Sequence, residues 1–381
     1  MRLSSQRSLF EIPDDIAYLN CAYMSPIPRA TREAGQEAVA RKSRPWKIAA
    51  SDFFDEAEVA RSLFAELIGA DAEGVALVPS ASYGVGVAAA NLPVRPDQRI
   101  VLLAEQFPSN VYPWQDLAER SGAGVVTVPR PPDYDWTTAL LGRIDERTAI
   151  VAVPHCHWTD GSLIDLARVG ERAREVGAAL VVDATQSLGA YPLDLARAQP
   201  DFLAVAAYKW LLGPYSTGFL YVAPHRREGR PLEHNWIGRA GSEDFSGLVD
   251  YAEEYQPGAR RYDMGERANF ALLPMVIASL RQLLEWSVDS IQQTLGALGA
   301  LTGQIEVEAR RLGLEPVPAG RHADHLLGIR SPRPLPPDLL ARLAARRVYV
   351  SMRGQSIRVS PHVYNTGADI QRFVSALGDA L

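Results

Sequence analysis

Short apolar segments alternate with helix-forming segments along this 381-residue chain, and this alternation constrains the fold more than any other feature. The apolar segments are nearly continuous runs of Val, Ile, Leu and Ala, which is typical of strands buried on both faces. The predicted strands are Val75–Pro79, Arg99–Ala104, Gly124–Pro129, Thr148–Pro154, Ala178–Asp183, Asp201–Ala206 and Thr217–Val222. The pattern predicts an α/β fold with a mostly parallel seven-stranded sheet and helices on both faces.

The pattern changes after about residue 255. A long helical stretch, Phe270–Arg311, is followed by a tail with predicted strands near His325–Ile329 and Val348–Ser351. We therefore predict an N-terminal segment over residues 1–30, a large domain over 31–255 and a smaller α+β domain over 256–381.

Charge and composition exclude several classes of protein. The formal net charge is −6, so the chain lacks the basic surface that nucleic-acid binding requires. Apolar runs are too short to span a membrane and the N-terminus does not resemble a signal peptide, so we expect a cytoplasmic protein. Cys21 and Cys156 are too few for a disulfide framework, and neither cysteine nor histidine spacing predicts a metal site.

Lys209 is an unusual residue in this chain. Only Lys42, Lys47 and Lys209 are lysines among 39 basic residues, and the others are arginines. Lys209 follows an apolar run, where desolvation allows an amine to lose its proton, whereas a guanidinium keeps its own. A nucleophilic role for Lys209 therefore competes with a structural role at the end of a strand.

Polar and aromatic residues follow several of the predicted strands. Ser80–Gly84 opens a helix, where N–H groups and hydroxyls suit a phosphate. Asp183 ends the fifth strand and Lys209 follows the sixth, while Phe107 and Trp158 follow others. Ligands of open α/β sheets bind beyond the carboxyl ends of the strands, where these residues lie. A phosphate site, flat aromatics, a buried acid and a lysine are what pyridoxal 5′-phosphate requires.

Several motifs resemble those of the class V aminotransferases, a group that includes cysteine desulfurases, selenocysteine lyases, isopenicillin N epimerase and kynureninase. The motifs are Val181–Asp194 with Tyr208, Lys209 and Gly213–Gly218, and also Tyr18–Ala22, Phe107–Trp114 and Ile357–Thr366. The resemblance runs from about residue 16 to residue 375. It implies a fold-type I pyridoxal phosphate enzyme that acts on an α-amino acid.

The resemblance assigns roles around the cofactor. It implies that Lys209 forms the Schiff base and shuttles protons, that Asp183 pairs with the pyridine nitrogen and that Gln186 hydrogen-bonds the phenolic oxygen. It further implies that Ala81, through its N–H, and Ser82 hold the phosphate.

Phe107 falls where the family places a residue that stacks on the ring, and Tyr208 resembles a kynureninase tyrosine that reaches the phosphate. Cysteine desulfurases usually carry a serine and a histidine where this chain has Ala206 and Tyr208. One phosphate ligand is therefore missing from the expected set.

The substrate side of the site is less specific. The resemblance implies that Arg358 or Arg353 binds the substrate carboxylate, since a planar guanidinium grips a carboxylate bidentately. Asn20, Tyr23 and Trp158 are expected to line the side-chain pocket.

The resemblance also implies a homodimer, in which the loop Asp263–Asn269 of one subunit completes the phosphate site of the other.

The reaction itself stays open at this stage. Lys209 is expected to remove the Cα proton, after which transamination, epimerisation or loss of a β-substituent can follow. Desulfurases need a cysteine shortly before the arginine motif, and the segment Leu335–Arg353 contains none, so an enzyme persulfide is not expected.

Two other classes of function compete with this interpretation. Gly84–Ala89 satisfies the dinucleotide-binding pattern and Glu105 follows at the expected distance, which suits a nicotinamide-dependent oxidoreductase. A binding protein that keeps the pyridoxal-enzyme fold without turnover is the other alternative.

Overall fold

The computed structural model describes the whole chain apart from the side chains of residues 299–302. Its strands are β1 (Ala17–Tyr18), β2 (Val75–Val78), β3 (Arg99–Leu103), β4 (Gly124–Val128), β5 (Thr148–Pro154), β6 (Ala179–Asp183), β7 (Phe202–Ala206), β8 (Gly218–Val222), β9 (Glu315–Pro316), β10 (Leu327–Arg330), β11 (Val348–Tyr349), β12 (Ser351–Arg353) and β13 (Ser356–Val359).

Its α-helices are α1 (Arg29–Lys42), α2 (Asp55–Ile68), α3 (Ala81–Asn91), α4 (Tyr112–Ser121), α5 (Trp136–Leu141), α6 (Leu166–Glu175), α7 (Leu195–Ala198), α8 (Leu272–Trp286), α9 (Val288–Arg311), α10 (Leu339–Ala345) and α11 (Gly367–Ala380). Among the described residues, none of these helices combines the length and apolar character that crossing a bilayer requires.

The main sheet has seven strands in the order β2-β8-β7-β6-β5-β3-β4 among the described residues. Only β8 runs antiparallel to its neighbours, β2 and β7, and the other pairs are parallel. The predicted α/β fold with a mostly parallel seven-stranded sheet is therefore confirmed. The seven strands predicted for this sheet agree with the structure to within one residue at either end.

The sheet is buried because alternate residues of each strand enter two different apolar cores. In β5, Val151 and Val153 pack into one core, while Ile150 and Ala152 pack into the other. Helices α2, α5, α6 and α8 contribute to the first core, and α3 and α4 contribute to the second. This arrangement explains why the central strands lack an alternating polar face.

A four-stranded antiparallel sheet, β12-β13-β10-β9, forms the C-terminal α+β part and packs with α9, α10 and α11 around a third core. Sequence patterns did not predict β13, which carries Arg358. The predicted helical stretch Phe270–Arg311 is two helices, because Ser287 adopts a φ of 61° and caps α9 with its hydroxyl.

The boundaries proposed for the three parts of the chain stay a prediction. The N-terminal strand β1 pairs in parallel with β11 near the C-terminus, and α8 packs against α1 and α2. The first and last thirds of the chain therefore contact each other directly.

Gly189 fixes the loop after β6 against the turn that carries Lys209. Its φ is 102°, and a Cβ atom there would overlap the backbone carbonyl oxygen of Trp210. Because the Trp210 carbonyl group belongs to the backbone, rotation of a side chain cannot relieve the overlap. Gly177 has a similar φ of 72° but open space around it, so it serves as a matched control.

We expect Gly189→Ala to destabilise the protein more than Gly177→Ala. The control incurs only the left-handed backbone strain of about 1 kcal/mol, whereas Gly189→Ala adds a steric overlap and should cost at least about 2 kcal/mol. Equilibrium unfolding in urea measures both variants. Equal losses would show that the two backbones do not press on each other.

Candidate active site

A cavity of about 250 Å³ opens where the parallel strands end. The residues that follow β2, β3, β5, β6 and β7 form its walls, as expected for a ligand site in an open α/β sheet. The structure brings eight of the predicted site residues together here, namely Ala81, Ser82, Phe107, Trp158, Asp183, Gln186, Tyr208 and Lys209.

Lys209 lies in a turn after β7, with only 6% of its surface exposed. Its Nζ atom lies 5.6 Å from the centre of the Phe107 ring and 5.5 Å from that of the Tyr208 ring. Burial lowers the pKa of Lys209 to about 8, against an opposing effect of the Asp183 carboxylate. A substantial fraction of this amine is therefore neutral near physiological pH, as a nucleophile or base requires.

Asp183 is the last residue of β6 and is also almost completely buried, at 7% exposed. Its Oδ1 atom accepts a hydrogen bond of 3.0 Å from the Thr185 N–H. No cation of the described residues comes within 4 Å of it. An unpaired buried carboxylate is costly, and a protonated pyridine nitrogen is the kind of partner that would compensate it.

The start of α3 offers unsatisfied donors to the same cavity. Ser80 caps this helix, because its hydroxyl accepts the Tyr83 N–H. Within the described residues, the Ala81 and Ser82 N–H groups have no acceptor. Free N–H groups at the start of an eleven-residue helix favour an anion such as a phosphate.

Gln186 is held in one orientation by two hydrogen bonds. Its amide nitrogen donates to the Ala22 carbonyl over 3.1 Å, and its carbonyl oxygen accepts the Trp210 indole N–H over 3.0 Å. One amide hydrogen remains, and the side chain lies in the cavity wall. This geometry suits a donor to an oxygen of a planar ligand.

Four of the predicted substrate residues do not reach the wall of this cavity: Asn20, Tyr23, Arg353 and Arg358. Tyr23 is 53% exposed, and Asn20 is buried with its side-chain oxygen unpartnered. The guanidinium carbon of Arg353 lies 5.9 Å from the centre of the Tyr23 ring and 5.5 Å from that of the Trp158 ring. Arg353 and Arg358 therefore lie next to Trp158, outside the wall of the cavity in front of Lys209.

Arg358 is completely buried, with 0% of its surface exposed. Its guanidinium donates to the Ser351 hydroxyl and to the Trp158 carbonyl oxygen, at 2.8–3.1 Å, and no carboxylate of the described residues lies within 4 Å. Burial lowers the pKa of Arg358, yet an arginine stays protonated at neutral pH. A buried cation without a carboxylate partner is a candidate to bind an anion.

The loop Asp263–Asn269 is anchored within its own chain. Asp263 is fully buried and accepts hydrogen bonds from Arg61, Arg267 and the Leu77 N–H. The loop therefore lies beside β2, next to the N-terminus of α3. Glu266 is the exposed residue of the loop.

Sequence reasoning missed several wall residues, including Thr185, Tyr215 and Thr217. Tyr215 packs on Tyr208 with ring centres 4.6 Å apart, and the Thr185 hydroxyl accepts the Ala206 N–H. Thr185 lies between two recognised positions, Asp183 and Gln186, so its place in the motif was the available signal. Tyr215 and Thr217 follow the lysine turn, where no pattern separates wall residues from neighbours.

The nicotinamide alternative is wrong in its local structure. Gly84 and Gly86 lie inside α3 and not in the turn before it, and a Cβ atom at Gly84 would press on Ala204 in β7. Glu105 pairs with Arg130 over 2.6 Å. Gly84 allows the helix to pack closely on the sheet, and neither glycine belongs to a dinucleotide-binding turn.

The family model for aminotransferase class V matches residues 22–235, which is more than half of the chain. The chain belongs to the class V aminotransferases. The matched region contains Asp183, Gln186 and Lys209 together with the walls of the cavity. The protein is therefore an enzyme, its cofactor is pyridoxal 5′-phosphate, and the non-catalytic alternative is not supported.

Known relatives and structures agree with this assignment. An uncharacterized aminotransferase of Bacillus subtilis is 29% identical, covering 93% of this chain and 91% of the relative. Isopenicillin N epimerase of Streptomyces clavuligerus is also 29% identical, covering 84% of this chain and 83% of the relative. The apo structure of a cysteine desulfurase from Thermococcus onnurineus has a TM-score of 0.84 at 21% identity, covering 100% of this chain and 98% of that one.

The lowered pKa of Lys209 predicts how the cofactor-free protein captures pyridoxal phosphate. Only the neutral amine attacks an aldehyde, so the capture rate should rise as pH increases towards about 8 and level off above it. An ordinary exposed lysine would keep gaining rate up to about pH 10. Stopped-flow absorbance after mixing apoprotein with cofactor measures this. A rate that still rises steeply from pH 9 to pH 10 would contradict the assignment.

Proposed function

We propose that this enzyme removes the Cα proton of an α-amino acid, with Lys209 as the base and without an enzyme persulfide. The observation that carries the proposal is the buried Lys209 amine, with its pKa lowered to about 8, in a cavity that also holds the Asp183 carboxylate. Transamination, epimerisation and β-elimination share this first step, and the product identifies which of them the enzyme completes.

The residues of the cavity fit pyridoxal phosphate as a group. Lys209 would hold it covalently, Asp183 would face its ring nitrogen, and the free N–H groups of Ala81 and Ser82 would bind its phosphate. When bound, the cofactor supplies an electron-withdrawing ring that weakens the bonds at the substrate Cα. Phe107 is proposed to stack on the ring, Gln186 to bind its phenolic oxygen and Tyr208 to reach the phosphate.

Proton removal needs a base that is neutral and close. Burial keeps the Lys209 ammonium unfavourable, and the positive charges of Arg358 and Arg353 lower its pKa further. Lys209 is also the only lysine or histidine in the cavity wall among the described residues. Its Nζ atom is therefore the proposed acceptor of the Cα proton and the proposed donor that returns it.

We assign the substrate α-carboxylate to Arg358, with Arg353 as the second candidate. Arg358 is a buried cation without a carboxylate partner, and Trp158 is among the groups that cover it, with a ring centre 5.8 Å from its guanidinium carbon. A carboxylate that replaces the Trp158 carbonyl as its partner would compensate the buried charge. This contact requires a small movement of the Trp158 segment. Asn20 and Tyr23 are proposed to contribute to substrate binding around the same ring.

We also propose a cytoplasmic homodimer in which the loop Asp263–Asn269 lies at the subunit interface. Val249 and Tyr251, which precede this loop in the chain, are apolar residues that are largely exposed. Clusters of exposed apolar residues are characteristic of subunit interfaces. The cytoplasmic location rests on the composition of the sequence.

The test of the proposal is exchange of the Cα proton with solvent. We expect the holoenzyme in D₂O to incorporate deuterium at Cα of its substrates, and Lys209→Arg to lose this activity because a guanidinium does not release its proton. Nuclear magnetic resonance of an amino-acid panel measures exchange, and assays for keto acid, ammonia and the opposite enantiomer identify the product.

Lys42→Arg and Lys47→Arg make the same chemical change outside the site, so they should exchange at the wild-type rate. Asp183→Asn should keep the cofactor but exchange much more slowly, because it removes the charge opposite the ring. Exchange that persists in Lys209→Arg would mean that another group is the base.

The two cysteines are poor candidates for sulfur transfer. Cys21 and Cys156 are both buried, and burial raises the pKa of each thiol above its ordinary value. Cys156 lies in the cavity wall, but its thiol donates a hydrogen bond of 3.4 Å to the Gly161 carbonyl oxygen. A protonated thiol does not accept sulfur, since the thiolate is the nucleophile.

We expect the double variant Cys21→Ser, Cys156→Ala to keep most of its activity, within about threefold of wild type. Thermal denaturation of the same variant serves as the control for folding, because both positions are buried. If Cys156→Ala alone abolished turnover while the cofactor stayed bound, and alkylation trapped a persulfide on Cys156, the enzyme would be a desulfurase with a relocated cysteine.

A further inference from the structure

A second cavity, of about 380 Å³, lies on the far side of Trp158 from the cofactor cavity. Trp158 and Gln106 belong to the walls of both cavities, so the two spaces are neighbours. The Trp158 indole N–H donates to the Glu105 carbonyl over 2.6 Å, which fixes the ring between them. The second cavity is therefore the next space that a substrate side chain would meet beyond Trp158.

The C-terminal sheet presents two arginines to this second cavity. Ser356 in β13 pairs with Arg330 in β10 on one side and with Arg353 in β12 on the other. Directly paired residues of neighbouring strands share a face, so the three side chains form one row. The strand spacing places the two arginine backbones about 10 Å apart, with the small Ser356 between them.

The charges of these two arginines are not neutralised within the chain. The two acids of the cavity wall, Asp160 and Glu105, both pair with Arg130. Among the described residues, Arg330 and Arg353 have no carboxylate within 4 Å. Glu315 is opposite Arg330 on the edge strand, but it lies beyond that distance and lines an outer groove.

We infer that this second cavity binds an oxyanion at the far end of the substrate side chain, through Arg330 and Arg353. The favoured substrates are then α-amino acids that end in a second carboxylate. Two guanidinium groups that flank a small residue leave room for a planar anion, and both can donate to it bidentately. The inference rests on the proposed function, because it assumes that the substrate α-carboxylate is bound by Arg358.

The test compares acidic amino acids with their amides in the holoenzyme. We expect kcat/KM for glutamate and 2-aminoadipate to exceed that for glutamine, and Arg330→Gln to lower it about tenfold or more for the acids while changing it about threefold or less for glutamine. Arg333→Gln, an exposed arginine of the same part of the chain, should change neither. O-phosphoserine as a further substrate distinguishes a phosphate-binding from a carboxylate-binding cavity.

A binding measurement separates this inference from the proposed function. Titration calorimetry of the holoenzyme with glutarate should show binding that weakens in Arg330→Gln and in Arg353→Gln. If amino acids react but acids and amides are affected equally in Arg330→Gln, or if O-phosphoserine is preferred over every carboxylate, the inference is overturned. If no amino acid of the wider panel exchanges its Cα proton, the proposed function fails, and the glutarate titration then tests the second cavity alone, where equal binding to wild type and both variants would overturn the inference.

Discussion

The electrostatic coupling between Lys209 and Asp183 is the interaction on which the rest of the site depends. Both groups are almost completely buried, and neither is compensated by a close partner of opposite charge among the described residues. Burial lowers the pKa of the lysine, while the carboxylate partly restores it. The fold sustains this arrangement because a sheet with two apolar cores holds the ends of β6 and β7 in place on adjacent strands. A large, well-packed scaffold can support such costly groups at one edge.

Two arginines, Arg353 and Arg358, add further uncompensated charge where the substrate is proposed to bind. Arg358 in β13 and Arg353 in β12 lie on one face of the C-terminal sheet next to the Trp158 ring, and both add positive potential near Lys209. They disfavour the ammonium form of the lysine and favour anions in the space around Trp158. The C-terminal part of the chain thus contributes charge, whereas the main sheet carries the residues for which covalent and proton-transfer chemistry is proposed.

Much of the fold could be predicted because its signal is local. The predicted bounds of β5 are identical to those in the structure, because a strand buried on both faces has a distinctive, continuously apolar composition. Short strands such as β13 escaped prediction because their identity depends on antiparallel pairing with distant residues. The break at Ser287 escaped for the same reason, since nothing in the helical pattern separates α8 from α9.

The residues of the candidate site also divide into those with a local sequence signal and those that depend on distant parts of the chain. Lys209, Asp183 and the start of α3 could be predicted because each follows a recognisable strand at the edge where ligands bind. Tyr215 and Thr217 could not be predicted, and neither could the row formed by Arg330 and Arg353, since these depend on how the turn and the C-terminal sheet fold back. The central claim is that Lys209 carries the cofactor, and reduction of the holoenzyme with borohydride followed by peptide mapping tests it most directly. The account predicts a pyridoxyl group on Lys209, and a label on Lys42 or Lys47, or no label, would contradict it.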